Sequence, residues 1–226
     1  MGTIARRLVT ADRAITQCHA AAGDAKAAEE SIRKALDNDP ANLAAYEALG
    51  RLYVKANRLQ EAIVEFEALA ARQPHPVAAL TMVGMIQESM RRTDEARRTY
   101  QKALEFDPNA AVAGNNLAWI YVNNGGNLDV ALQLAKNAKS TLPKQAEIAD
   151  TLGWVYYKKG LWPLAIRELK EAVDRDPSNP MYHYHLGAAY ASGGSKDLAK
   201  KALNTALSLR PDFDGAQDAT RLLSTL

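Results

Sequence analysis

The sequence predicts an all-α chain, a right-handed α-solenoid of about six helical hairpins closed by a C-terminal capping helix, and three observations carry that prediction. A small residue returns as Gly50, Gly84, Ala118, Gly153 and Gly187, in steps of 34, 34, 35 and 34 residues, and a period in this range marks stacked helical pairs. Apolar residues recur at helical spacing twice within each period, so each period holds two amphipathic helices. Pro40, Pro74, Pro108, Pro177 and Pro211 close five of the periods, as expected of a residue that cannot continue a helix.

Taken in order, the repeats begin near Val9, Leu43, Val77, Ala111, Ala146 and Pro180, giving units 9–42, 43–76, 77–110, 111–145, 146–179 and 180–213 within an array 1–213. The first unit is the most degenerate: Thr16 and His19 replace the small and aromatic residues of its first helix, while Ala28, Ile32, Ala35 and Pro40 keep its second. In the next, Tyr46, Leu49, Gly50 and Tyr53 mark one helix, and Ala62, Phe66 and Leu69 mark its partner. The later units repeat this with Leu80, Val83, Ala96, Tyr100 and Ala103, then Leu152, Tyr156, Ala165, Leu169 and Ala172, then Leu186, Tyr190, Ala199, Leu203 and Ala206. Small residues let the backbones approach, and the large ones fill the space between them. The tight turn inside each hairpin needs a residue tolerant of positive φ; Gly23, Asn57, Gly160 and Gly194 supply one, and Arg91 is the exception. In the fourth unit Asn123-Asn-Gly-Gly-Asn127 adds one residue, read as a longer loop because no strand precedes it and no Lys-Ser/Thr follows for a phosphate cradle. Residues 214–226 bring Leu222 and Leu223 to one side of a final helix that covers the last apolar face.

An apolar fraction of 47% with 24% charged residues argues against disorder, and the net charge of +2, with both signs mixed along the helices, lacks the one-signed stripe that a phosphate backbone requires. Nucleic acid is therefore not an expected partner. The single cysteine, Cys18, excludes an internal disulfide or a thiolate zinc cage. No segment approaches the apolar length of a membrane span, and the first residues carry neither a signal-like apolar run nor, with Arg6 in place of Ser or Thr, a myristoylation motif. A chain that opens inside a repeat-like segment is consistent with a longer parent. A soluble protein is expected.

The candidate chemistry is sparse. His183 and His185 are two apart on a helix and point about 200° from one another, so they cannot share a metal, and packing or surface roles are expected. His75 lies in a Pro-flanked turn, and His19 adjoins Cys18 rather than opposing it. No G-x-S-x-G elbow or enclosed carboxylate pair is legible, so no catalytic residue, metal or cofactor is expected. Arg91-Arg92 with Arg97-Arg98, and Lys196 with Lys200-Lys201, read as solvated outer faces.

The motif residues Leu152-Gly153, Tyr156, Ala165, Leu169 and Pro177, and their equivalents in the other units, resemble the tetratricopeptide repeat across almost the whole chain. That resemblance implies that the first helix of each unit lines a concave groove. The N-terminal half then offers Arg13, Gln17, Glu47, Arg51, Lys55, Thr81, Met85 and Glu88, and the C-terminal half Asn115, Asn116, Trp119, Asn123, Asp150, Trp154, Tyr157, Lys158, Tyr184 and His185. Glu47 and Met85 spoil the carboxylate clamp of chaperone-tail cochaperones, and Asn116 alone does not make the asparagine ladder of glycosyltransferase-type arrays. The phrases Asn115-Asn-Leu-Ala-Trp119 and Asp150-Thr-Leu-Gly-Trp154 resemble bacterial repeat proteins, some of them linked to envelope and exopolysaccharide systems. That resemblance implies the bacterial cytoplasm, or the periplasm or envelope if the parent is exported. The expected function is a non-enzymatic scaffold holding a peptide or protein in the groove. A glycan ligand is the alternative, and RNA a third disfavoured by charge. Trp119 and Trp154 occupy the same position in consecutive units, and two readings stand open. Either both line the groove, so that Trp154→Ala weakens a partner by about 2 kcal/mol without changing the melting temperature, or the indoles pack sideways into the core.

Overall fold

The computed structural model describes residues 25–40 and 42–226, and every regular element among them is an α-helix. In chain order these are α1 (Ala25–Asn38), α2 (Leu43–Lys55), α3 (Leu59–Ala71), α4 (Val77–Ser89), α5 (Thr93–Phe106), α6 (Ala111–Asn123), α7 (Leu128–Thr141), α8 (Ala146–Lys158), α9 (Trp162–Arg175), α10 (Pro180–Ser192), α11 (Lys196–Leu209) and α12 (Ala216–Ser224). The chain is thus an all-α solenoid of helical hairpins with a capping helix. Its contacts divide into two compact units between Pro108 and Asn109. The first holds the hairpins α2/α3 and α4/α5, with α1 packed on α2; the second holds α6/α7, α8/α9 and α10/α11, with α12 packed on the last.

The hairpin turns share one geometry. Asn57, Arg91, Gly125, Gly160 and Gly194 take φ of 54°, 60°, 71°, 71° and 81°. The following N–H reaches back five residues: Arg58 to the Tyr53 carbonyl at 2.9 Å, Arg92 to Gln87 at 2.8 Å, Gly126 to Tyr121 at 2.8 Å, Leu161 to Tyr156 at 3.0 Å and Ser195 to Tyr190 at 2.9 Å. These bonds satisfy carbonyls that each helix end leaves open. Arg91, the sequence exception, adopts the same left-handed conformation, because the packing of α4 against α5 sets the turn whatever side chain occupies it. The fourth turn carries its extra residue as expected, and Asn127 there caps α7, its side chain accepting from Asp129 N–H at 2.9 Å and Val130 N–H at 3.2 Å. Gly23 lies outside the described residues.

Close packing explains the repeated small residue. A Cβ on Gly153 would stand 2.6 Å from Leu169 Cγ, and one on Gly84 only 2.4 Å from the Tyr100 ring. At these two glycines first and second helices therefore meet closer than a Cβ permits, and the fourth unit keeps the position small with Ala118. In the first unit Tyr46, Leu49, Tyr53 and Phe66 are fully buried, with Tyr53 edge-on to Phe66 at 6.4 Å. Above them Glu29 accepts from Arg33 at 2.8 Å, Arg58 at 2.8 Å and the Tyr53 hydroxyl at 3.1 Å. In the second unit Phe213 is buried, and its ring lies 6.1 Å from that of Tyr184. The final helix starts at Ala216, later than the expected 214, because Phe213 turns inward and its carbonyl accepts from Ala216 N–H at 2.8 Å. Leu222 and Leu223 then cover Leu203 and Ala206.

Candidate functional site

The first helices α6, α8 and α10 adjoin within the second unit. Residues four apart share a helical stripe, which aligns Asn115, Trp119 and Asn123 on α6 with Asp150, Trp154 and Lys158 on α8. Trp154 is 6% exposed; its indole N–H donates to Asn123 Oδ1 at 3.1 Å, and its ring stacks on His185 at 4.0 Å and on Tyr157 at 4.6 Å. Side chains 31 residues away on each side, Asn123 and His185, close over this indole. His185 and Asp150 are buried too, joined by His185 Nδ1 at 2.8 and 3.0 Å from the two carboxylate oxygens. Burying both groups is tolerable because each satisfies the other. Trp119, half-buried, lies 5.8 Å from the His185 ring.

The outer edge of this cluster reaches solvent. Tyr157 and Tyr184 are half-buried, whereas Asn123 and Lys158 are exposed. Lys158 Nζ stands 4.9 Å above the Trp154 ring and 6.0 Å above that of Tyr157, a cation placed over π faces. Asn123 uses its other amide group to donate to the Trp119 carbonyl at 3.0 Å, which fixes its orientation toward Trp154. Burial, with Asp218 and Tyr157 nearby, pushes the Tyr184 hydroxyl up to about 12, so it is a protonated donor at neutral pH. At the far end Asn115 is buried, donating to Asn116 Oδ1 at 3.3 Å, and its own Oδ1 has no hydrogen-bond partner among the described residues. The ten residues expected on this face therefore sort into a buried base of Asn115, Asp150, Trp154 and His185 and an accessible layer of Asn116, Trp119, Asn123, Tyr157, Lys158 and Tyr184. Two contributors were missed: Phe213 and Asp218 come from the cap region, which no groove position within the repeat register indicates.

The first unit presents less. Thr81 is buried and donates to the Val77 carbonyl at 2.7 Å, and Glu88 accepts from the Tyr100 hydroxyl at 2.6 Å rather than facing outward. Met85, Arg51 and Lys55 are exposed. Arg13, Gln17, Cys18 and His19 lie outside the described residues, as does the side chain of Glu47. Of the remaining histidines, His75 is exposed and His183 Nε2 meets the Pro177 carbonyl at 2.9 Å. Among the described residues no group of three or more His, Cys, Asp or Glu is placed to hold a metal, and no helix is long and apolar enough to cross a membrane.

Repeated helical hairpins closed by a capping helix define the class of α-solenoid repeat proteins. Profiles described as tetratricopeptide repeat match residues 19–83, 77–110 and 182–213, and one described as TPR repeat matches 153–194. The chain belongs to the tetratricopeptide repeat family, whose fold serves generally as a protein-interaction scaffold. It is 29% identical over 199 residues to tetratricopeptide repeat protein 37 of Xenopus laevis, an alignment covering 82% of this chain and 12% of that protein. The chain spans about a third or less of the first curated relatives it matches. Among solved structures, the APC/C hetero-tetramer Cut9-Hcn1 has a TM-score of 0.70 at 17% identity, covering 91% of this chain and 40% of that one. YrrB, described as a TPR protein with an unusual peptide-binding site, has a TM-score of 0.60 at 19% identity, covering 85% and 99%. At these identities the likeness is one of fold.

Proposed function

We propose that this chain is a non-enzymatic scaffold whose array, residues 1–213 with 214–226 as cap, holds a peptide or protein partner on the face of α6, α8 and α10. The observation that carries the reading is the aromatic layer of Trp119, Tyr157 and Tyr184, held on a buried base by Trp154 and the Asp150–His185 pair. Aromatic anchors fixed before binding lose little conformational freedom when a ligand arrives, and hot spots favour such residues beside polar groups like Asn123 and Lys158.

The test pans the full chain against a displayed library of random peptides and titrates the recovered sequences. Tyr157→Ala should weaken them by about 2 kcal/mol while the melting temperature stays close to that of the unchanged protein. Undiminished affinity in a folded Tyr157→Ala variant would overturn the assignment. The likeness of the Asn115–Trp119 and Asp150–Trp154 phrases to envelope-linked proteins makes a glycan the second ligand to assay. An array of polysaccharides run in parallel separates the two, since aromatic faces stack on sugars as well as on side chains.

A further inference from the structure

A cavity of about 460 Å³ opens on the second-helix side of the first unit, between α3 and α5. Its floor is Leu80 and Val83 of α4, both buried; Phe106, 43% exposed, forms one rim. The repeat register explains why it is there. Eight residues after the recurring alanine of each second helix stand Leu36, Ala70, Leu104, Lys139, Val173 and Leu207, and only Ala70 has no side chain beyond Cβ. Leu36 is 2% exposed, and Val173 and Leu207 pack against buried clusters of the second unit.

The equivalent groove between α7 and α9 shows what a filled site contains. There Lys139 replaces Ala70, and its Nζ reaches Glu171 at 2.8 Å and Glu168 at 3.7 Å. Arg175, which replaces Phe106, bonds Glu171 at 2.6 Å and the Lys144 carbonyl at 3.1 Å. Long side chains of this chain bridge that groove. In the first unit Ala70 leaves the space open, and Glu67 on α3 and Lys102 on α5 stand exposed among its lining residues.

We infer that the α3/α5 groove is a second docking site, which takes an amphipathic helical segment of a partner protein with a leucine or methionine seated over Ala70. The aliphatic anchor follows from Leu36, Leu104, Val173 and Leu207, four of the five residues that occupy the equivalent place elsewhere in the chain. The helical form follows from the shape of a channel between two helices, which accepts a ridge of side chains at i and i+4. The charges at Glu67 and Lys102 select a basic residue for the α3 bank and an acidic one for the α5 bank. The volume lies within the range of ordinary ligand pockets, about 300–1,000 Å³.

The experiment pans the full chain against a displayed library of amphipathic helices bearing leucine or methionine at i and i+4, with the polar positions randomised. Recovered peptides are titrated against Ala70→Leu, Lys102→Glu and Tyr157→Ala, each checked by thermal melting. Ala70→Leu supplies the missing side chain from within, so affinity should fall at least about tenfold, whereas Tyr157→Ala, on the first-helix face, should leave it unchanged. Lys102→Glu, an exposed position that does not test packing, should weaken the same peptides, and exchanging their acidic residue for lysine should restore binding. Equal affinity for Ala70→Leu and the unchanged chain overturns the inference, as does recovery of no peptide. Loss of binding in Tyr157→Ala alone assigns the peptides to the aromatic face of the second unit and also overturns it. Self-association abolished by Ala70→Leu would make a second copy the occupant, against the inference.

Discussion

The Trp154 indole donates its N–H to Asn123 and stacks on His185 and Tyr157 while only 6% exposed. Its truncation would leave a large cavity and strip both neighbours of contacts. Trp154→Ala is therefore expected to lower stability by about 3–5 kcal/mol, read as a shift in the denaturant midpoint, with partner binding falling only in proportion to the unfolded fraction. A midpoint within a few tenths of a molar of the unchanged protein would place the indole outside the core. Tyr157, half-buried beside it, is the residue whose loss should register in binding instead.

Among the turns, the α4–α5 connection holds Arg91 at φ 60°, a conformation that costs a side chain with a Cβ about 1–2 kcal/mol relative to glycine. Arg91→Gly should relieve part of this, since glycine also gains freedom in the unfolded chain. The expected net stabilisation is about 0.5–1 kcal/mol, measured by chemical denaturation, and a loss of stability would show that the arginine side chain contributes more than the strain it carries. The same reasoning predicts a smaller gain at Asn57, a residue type that tolerates left-handed backbone. At the other end α12 covers Leu203, Ala206 and the ring of Tyr184. Deleting residues 216–226 should expose this apolar surface, lower the melting temperature and produce concentration-dependent association in sedimentation velocity. A monomer with unchanged melting would show that the helix does not act as a cap.

For the molecule as a whole, the division at Pro108 makes independent unfolding of its two compact units the expected behaviour. All three tryptophans, Trp119, Trp154 and Trp162, lie in the second unit. Tryptophan fluorescence therefore reports that unit alone, while far-UV circular dichroism reports the helices of both. Thermal transitions followed by the two probes should not coincide, and superimposable curves would demonstrate one cooperative block. Acid should weaken both units. Burial would raise the Glu29 carboxyl, but hydrogen bonds from Arg58 and Tyr53 with the nearby guanidinium charges outweigh it and hold the group below its ordinary 4.5. The Lys139 ammonium does the same for Glu171. Carboxylates depressed in the folded state contribute stability above their unfolded value, and that contribution disappears as pH falls from about 4.5 through the lowered folded values.

Periodicity alone determined the all-α class, the hairpin order, the turns at Asn57, Gly160 and Gly194 and the extra residue near Gly125, whereas the first-helix positions of the candidate face came from the resemblance to the tetratricopeptide repeat. These features are local: helical spacing, left-handed turn residues and close-approach glycines act over a few residues, and repetition amplifies the signal. What stood apart from local pattern needed the fold. That Trp154 is buried while Tyr157 is half-exposed, that Asp150 bonds His185 across 35 residues, and that Ala70 leaves a cavity where Lys139 is bridged to Glu171 were all decided by tertiary structure. The physical reason is that burial and pairing depend on the volume and reach of side chains from the neighbouring repeat, which one helix's own sequence does not contain.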